Sequence, residues 1–170
     1  TVITWLSMSV RIATPLLFAS LGGLIALRAG IFNFALEGTM LAGAFFGFYG
    51  ATISGSLWIG LLFAIIAGGL TGLLIGFTSV TLGVSQLVVG LGLNIFYKGL
   101  TSYWYRVLEV KESISNFSVI DIPYLSNLPI IGRIFFKHNF LVYFALLLVI
   151  ILAWGFYNTT IGLNLRSVGE

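Results

Sequence analysis

Glu37 is the one acidic residue inside a long apolar stretch, in Gly30-Ile31-Phe32-Asn33-Phe34-Ala35-Leu36-Glu37-Gly38. Asn33 is the expected N-cap of a helix that follows it. That places Glu37 in or just after the first turn, near the positive end of the helix dipole. A carboxylate there reads in two ways. It is a helix-start group that snorkels or pairs with Arg28, or it is an interior group that lines a polar pathway or pins a broken helix, since an ionisable residue at membrane depth marks a functional candidate. Further on, Gln86, Gly90, Asn94 and Lys98 recur at four-residue spacing and are expected to share one helix face. Their amides donate and accept hydrogen bonds without carrying charge. The face either borders a watery cavity that suits a polar, uncharged solute, or bonds to a neighbouring helix while Lys98 snorkels to the interface. Asn33, Glu37, Gln86 and Asn94 are therefore the pathway candidates.

Other chemistries find no residues to carry them. His138 is the single histidine and cysteine is absent, so no metal site, thiol catalyst or disulfide framework is expected. Ser-His chemistry would rest on that histidine, in a loop with no evident acid partner. No GxxxxGK[ST] phosphate loop occurs, which excludes ATP hydrolysis by that route. The eight Lys and Arg give a net charge of +3 but form no basic run, so nucleic acid is not an expected partner. No catalytic residue, metal or cofactor is expected.

Composition sets the elements that must position these side chains. Of 170 residues, 59% are hydrophobic and 8% charged, and mean hydropathy is +1.10. A soluble domain carries roughly 25% charged residues, whereas a surface facing lipid needs none. Five windows approach the length of a membrane span, about 20 apolar residues: Ile3 to Leu27, Phe34 to Ile53, Leu57 to Leu82, Leu87 to Tyr105, and Phe140 to Tyr157. Pro15 suits a first helical turn, so the first helix is expected to start near Thr14, with Ile3 to Arg11 a separate interfacial piece. Ser54-Gly55-Ser56 makes a tight turn, so the second and third windows are expected to be antiparallel neighbours, and Gly83 marks another turn. The fold class expected is all-α, a polytopic transmembrane helix bundle of about five spans.

The third window has small residues every fourth position: Gly60, Ala64, Gly68, Gly72 and Gly76. Such a stripe lets a second helix come close, and Gly43, Gly47 and Ala51 repeat the pattern in the second window. The stripe packs within one subunit or between two. Trp58, Tyr103-Trp104-Tyr105, Trp154 and Tyr157 collect at window ends, as an interfacial aromatic belt does. The chain opens on Thr1 and stops at Glu170 in a polar stretch after a helix. It is expected to be the N-terminal fragment of a longer protein.

Several stretches in order resemble one family. Ala13-Thr14-Pro15-Leu16-Leu17 leads into Leu21-Gly22-Gly23, and then comes Arg28-Ala29-Gly30-Ile31-Phe32-Asn33-Phe34-Ala35-Leu36-Glu37-Gly38-Thr39-Met40. Gln86-Leu87-Val88-Val89-Gly90 precedes Leu93-Asn94 and Gly99-Leu100-Thr101. Ile122-Pro123, Leu128-Pro129-Ile130-Ile131-Gly132 and Thr160-Ile161-Gly162-Leu163-Asn164-Leu165-Arg166-Ser167-Val168-Gly169-Glu170 complete the series. Together they resemble the membrane permease of bacterial ABC importers in the branched-chain amino acid, ribose and simple-sugar group, above all the nucleoside-type permeases that work with a basic-membrane-protein-like lipoprotein receptor.

The resemblance implies a single permease domain over 1–170. It implies cytoplasmic ATP-binding subunits, a second permease subunit, an extracytoplasmic solute-binding lipoprotein and membrane lipid as partners, in the bacterial cytoplasmic (inner) membrane. Nucleosides are the leading solutes, ahead of simple sugars and riboflavin-like compounds. Gly162, Arg166, Gly169 and Glu170 resemble the approach to the loop that couples a permease to its ATPase. That makes 158–170 the start of a cytoplasmic coupling loop and 106–139 an extracytoplasmic loop. The positive-inside rule points the other way, since Arg106, Lys111, Arg133 and Lys137 lie in the longer loop against Arg28 and Arg166 on the cytoplasmic side. Two alternatives remain: a channel or secondary transporter without a dedicated ATPase, which would show charge clusters or inverted repeats, and a structural membrane subunit, which would show no polar face.

Overall fold

The computed structural model describes residues 2–108, 119–121 and 137–169. Its helices are α1 (Val2–Arg28), α2 (Leu36–Ser54), α3 (Leu57–Gly76), α4 (Gln86–Val107), α5 (Phe140–Asn158) and α6 (Thr160–Gly169). A two-stranded antiparallel ladder pairs β1 (Val119–Asp121) with β2 (Lys137–Asn139). Among the described residues the fold is all-α apart from that ladder. The chain forms two compact units, one of 1–29 with 117–170 and one of 30–116.

Among the described residues three helical stretches are long and apolar enough to cross a membrane: Val2–Arg28, Leu57–Thr81 and Phe140–Asn158. Helices α2 and α4, of 19 and 22 residues, have the length, since 19 residues rise about 28 Å. Glycine and threonine in α2, and Asn94, Lys98 and Arg106 in α4, dilute their apolar character.

The expected break near Pro15 is absent: α1 runs unbroken from Val2 to Arg28 with Pro15 inside it. Pro15 removes the backbone donor that would reach the Arg11 carbonyl, and the helix continues past it. The hydroxyl of Thr14, the buried residue of α1, donates to the Val10 carbonyl at 2.9 Å.

In the unit of 30–116, Gly55 sits in the left-handed region at φ 66° and donates its N–H to the Ala51 carbonyl. This tight turn folds α3 back along α2. The two backbones nearly touch: a Cβ at Gly60 would lie 2.6 Å from the Gly47 oxygen and 2.8 Å from the Ala51 Cβ. The stripe expected along α3 packs this way only over its first half. A Cβ at Gly68 would lie 4.0 Å from the Thr39 Cγ2, and one at Gly72 or Gly76 would meet nothing within 4 Å among the described residues. A four-residue step overshoots a turn by about 40°, so Gly76 points about 160° away from Gly60.

Helix α3 ends in a π-helical turn over Phe77–Thr81. The Thr78 hydroxyl donates to the Leu74 carbonyl at 2.7 Å. Such back-bonding competes for the acceptor that α-helical pairing would use. One buried bond ties α3 to α4. The Thr71 hydroxyl gives its proton to the Ala67 carbonyl at 2.8 Å, so the Tyr97 hydroxyl, 2.7 Å away, donates to Thr71.

In the other unit, Phe18 of α1 meets Phe144 of α5 at 6.2 Å between ring centroids. His138 is not in an open loop as expected. It lies in β2, fully buried, opposite Ile120.

Candidate functional site

The backbone between Gly30 and Ala35 is not helical, and Gly30 adopts φ 81°. Peptide groups outside regular structure need partners when water is scarce. Here they find side chains. The Phe32 N–H donates to Gln86 Oε1 at 2.8 Å, and the Ala35 N–H donates to Asn33 Oδ1 at 3.0 Å. Asn94 makes two bonds: its Oδ1 accepts from the Gly38 N–H at 2.7 Å and its Nδ2 donates to the Phe34 carbonyl at 2.9 Å.

Asn33 is therefore not the N-cap of α2. The cap position is Ala35, with φ −92° and ψ 15° and no side-chain cap bond. A capping side chain reaches the second or third helical amide from an extended backbone, and Ala35 offers neither that conformation nor an acceptor. Asn33 closes a short side-chain turn onto Ala35 one step earlier. Its place as cap is taken by Asn94, which reaches the third helical amide of α2 from a different helix.

Two glycines allow this approach. A Cβ at Gly90 would lie 2.5 Å from Phe34 Cβ and 2.9 Å from its carbonyl carbon, and a Cβ at Gly38 would lie 3.0 Å from the Asn94 Cα. The face expected along α4 bends accordingly. Gln86, Gly90 and Asn94 meet the 32–38 segment, but the buried line continues through Tyr97 and Thr101, and Lys98 is exposed. Lys98 is twelve residues from Gln86, a rotation of about 120°.

Glu37 is exposed, and its carboxylate has no hydrogen bond or ion pair among the described residues. Phe32 and Phe34 are also exposed, their rings stacked at 6.2 Å and 22°. Of the pathway candidates, then, Gln86 and Asn94 commit the groups named above to backbone, Asn33 commits its oxygen to Ala35, and Glu37 is left open.

The second candidate region is the elbow between α5 and α6. Thr159 has the extended backbone of an N-cap, φ −120° and ψ 152°, and its Oγ1 accepts from the Gly162 N–H at 3.2 Å. The same hydroxyl donates to the Gly155 carbonyl at 2.6 Å. A Cβ at Gly162 would stand 2.5 Å from the Gly155 oxygen and 2.7 Å from the Phe156 Cα, so the two helices meet backbone to backbone. Gly169 ends α6. The Arg166 side chain and Glu170 lie outside the described residues. Sequence reasoning missed Thr159, Thr71 and Tyr97. A threonine three residues before Gly162 at a helix start was a legible capping signal, whereas nothing local pairs Thr71 with Tyr97.

A family model described as "Branched-chain amino acid transport system / permease component" matches residues 5–170. The chain belongs to this permease family. Among curated relatives, this permease chain is 38% identical over 171 residues to the nucleoside ABC transporter permease protein NupC of Lactococcus lactis, covering 93% of this chain and 53% of that protein. It is 33% identical over 172 residues to the guanosine ABC transporter permease protein NupQ of Bacillus subtilis, covering 93% and 53%. A provisionally assigned glucose ABC transporter permease of Haloferax volcanii is 36% identical over 169 residues, covering 97% and 51%. The permease chain spans about half the length of the curated relatives it matches. No solved structure matches it.

The family assignment accounts for the polytopic, apolar helices. The chain offers a non-helical strip held on α4 by amides, with a carboxylate in the first helical turn after it that has no partner among the described residues.

Proposed function

We propose that the chain forms part of the permease subunit of an ATP-driven ABC importer in the bacterial cytoplasmic membrane, contributing to the route of a small polar solute of the nucleoside or simple-sugar class. The family match over 5–170 carries this reading. The names of its relatives, nucleoside and guanosine permeases among them, supply the solute class. In this reading the Gly30–Ala35 strip and Glu37 border the route, and Gln86 and Asn94 hold the strip in place. An unpaired carboxylate accepts from the hydroxyls of a sugar or ribose, and weak, exposed groups let the solute leave.

The same reading gives the chain its partners. ATP hydrolysis belongs to separate cytoplasmic subunits, a second permease subunit completes the route, and an extracytoplasmic lipoprotein delivers the solute. The α5–α6 elbow, with Gly162, Arg166, Gly169 and Glu170, leads into the contact with the ATPase, which puts 158–170 in the cytoplasm and 106–139 outside.

Purification of the full-length protein from its native membrane tests this. A nucleotide-binding subunit is expected to co-purify, with ATP hydrolysis stimulated by receptor and solute. Solute flux in reconstituted vesicles without any ATPase would favour a channel or secondary transporter instead.

A further inference from the structure

We infer that Asn94 is a positioning residue: it caps α2 in trans and so fixes the Glu37 carboxylate to α4. This deepens the proposed function and rests on the reading of the 30–37 segment as part of the solute route.

A helix start leaves its first amides without intrahelical partners. In α2 the residue at the cap position cannot supply one, because Ala35 has no acceptor and its backbone is not extended. The acceptor comes from Asn94 Oδ1, 2.7 Å from the Gly38 nitrogen. The same amide donates from Nδ2 to the Phe34 carbonyl at 2.9 Å. One planar side chain therefore holds both sides of the Phe34–Gly38 turn, and Glu37 sits between its two contact points.

Sterics enforce the same register. Phe34 lies on the bare backbone of Gly90, and Asn94 lies on the bare backbone of Gly38. Sliding α2 by one residue along α4 would break both bonds and drive side chains into those gaps. Helix α3 meets α4 through the Thr71–Tyr97 bond, one turn further along α4 than Asn94. The start of α2 is thus referenced to α4, and any movement of α4 during transport carries Glu37 with it.

The chain has no cysteine, so single thiols report cleanly once any cysteine outside it is replaced by serine. In the full-length protein in membranes, Glu37→Cys is labelled with a small water-soluble maleimide, with Asn94 intact or as Asn94→Leu or Asn94→Asp. Ser102→Cys, at an exposed position two turns further along α4, is the control. Asn94→Leu keeps the shape and deletes both bonds. It is expected to change the labelling rate at position 37 by about threefold to tenfold, the range that loss of a membrane hydrogen bond supports, while the rate at position 102 stays constant. Asn94→Asp keeps the acceptor for Gly38 and is expected to fall nearer the parent.

An unchanged rate at position 37 in both variants overturns the inference. So does a parallel rise at 37 and 102, which would mean general loosening. Uptake measured with Glu37 in place separates the two levels: a changed labelling rate with parental uptake in Asn94→Leu keeps the trans-cap and removes the strip from the solute route.

Discussion

Gly90 and Gly92 look alike in sequence and differ entirely in their surroundings. A Cβ at Gly90 would strike Phe34, whereas one at Gly92 would meet nothing within 4 Å among the described residues. Alanine in a helix interior gains about 1 kcal/mol over glycine where there is room. Gly92→Ala is therefore expected to hold or raise the melting temperature of the detergent-purified protein, and Gly90→Ala to lower it and loosen the α2–α4 contact. Equal melting temperatures for the two would mean that Phe34 does not sit on Gly90. The Thr71–Tyr97 bond allows a second test at this scale. Thr71→Val and Tyr97→Phe should each cost roughly 0.6 to 1.7 kcal/mol, and the double variant less than their sum, because either change alone removes the shared bond. Strict additivity in denaturation midpoints would show that the hydroxyls do not pair. These residues were legible only as polar atoms in apolar helices, since nothing near Thr71 in the chain announces a partner at Tyr97.

At the scale of elements, the α5–α6 elbow is the sharpest local feature. Thr159 caps α6 and Gly162 lets it fold against Gly155 and Phe156. Loss of an N-cap hydroxyl costs about 1 kcal/mol, so Thr159→Ala is expected to fray the first turn of α6 and lower solute-stimulated ATP hydrolysis modestly. Gly162→Trp should lower uptake and stimulated hydrolysis far more, with receptor–solute affinity unchanged. Parental uptake by the Gly162 variant at parental expression would remove the elbow from coupling. The elbow's glycine stood out in the sequence through the resemblance of 160–170 to the approach to a coupling loop, whereas the short helix that holds it did not. The long α1 did not stand out: Pro15 argued for a break, and the Thr14 hydroxyl on Val10 accompanies a helix that continues through it.

For the whole molecule, orientation is the testable consequence of the proposed coupling segment. A cytoplasmic 158–170 segment places 106–139 outside, against the count of Lys and Arg in that loop. Ser118→Cys in cells with a permeabilised outer envelope is expected to react with a membrane-impermeant thiol reagent. Labelling that requires lysis of the inner membrane would reverse the orientation and make the longer loop the cytoplasmic one.

What the sequence determined by itself is whatever depends on neighbours in the chain. Apolar runs of sufficient length form helices in a membrane because no other structure satisfies their peptide groups there. The turn at Gly55 follows from three small or polar residues between two such runs, and the ordered motifs identify the family. Tertiary structure alone decided which polar groups remain open. Asn94 bonds to residues 56 and 60 positions away, and Gln86 to one 54 positions away. A four-residue spacing shows that such side chains start on a common face, but the drift of about 40° per step and the gap left by Gly90 decide where that face ends. Packing thus gave Gln86 and Asn94 backbone partners in the 32–38 segment, left Lys98 exposed, and left the Glu37 carboxylate without a hydrogen bond among the described residues.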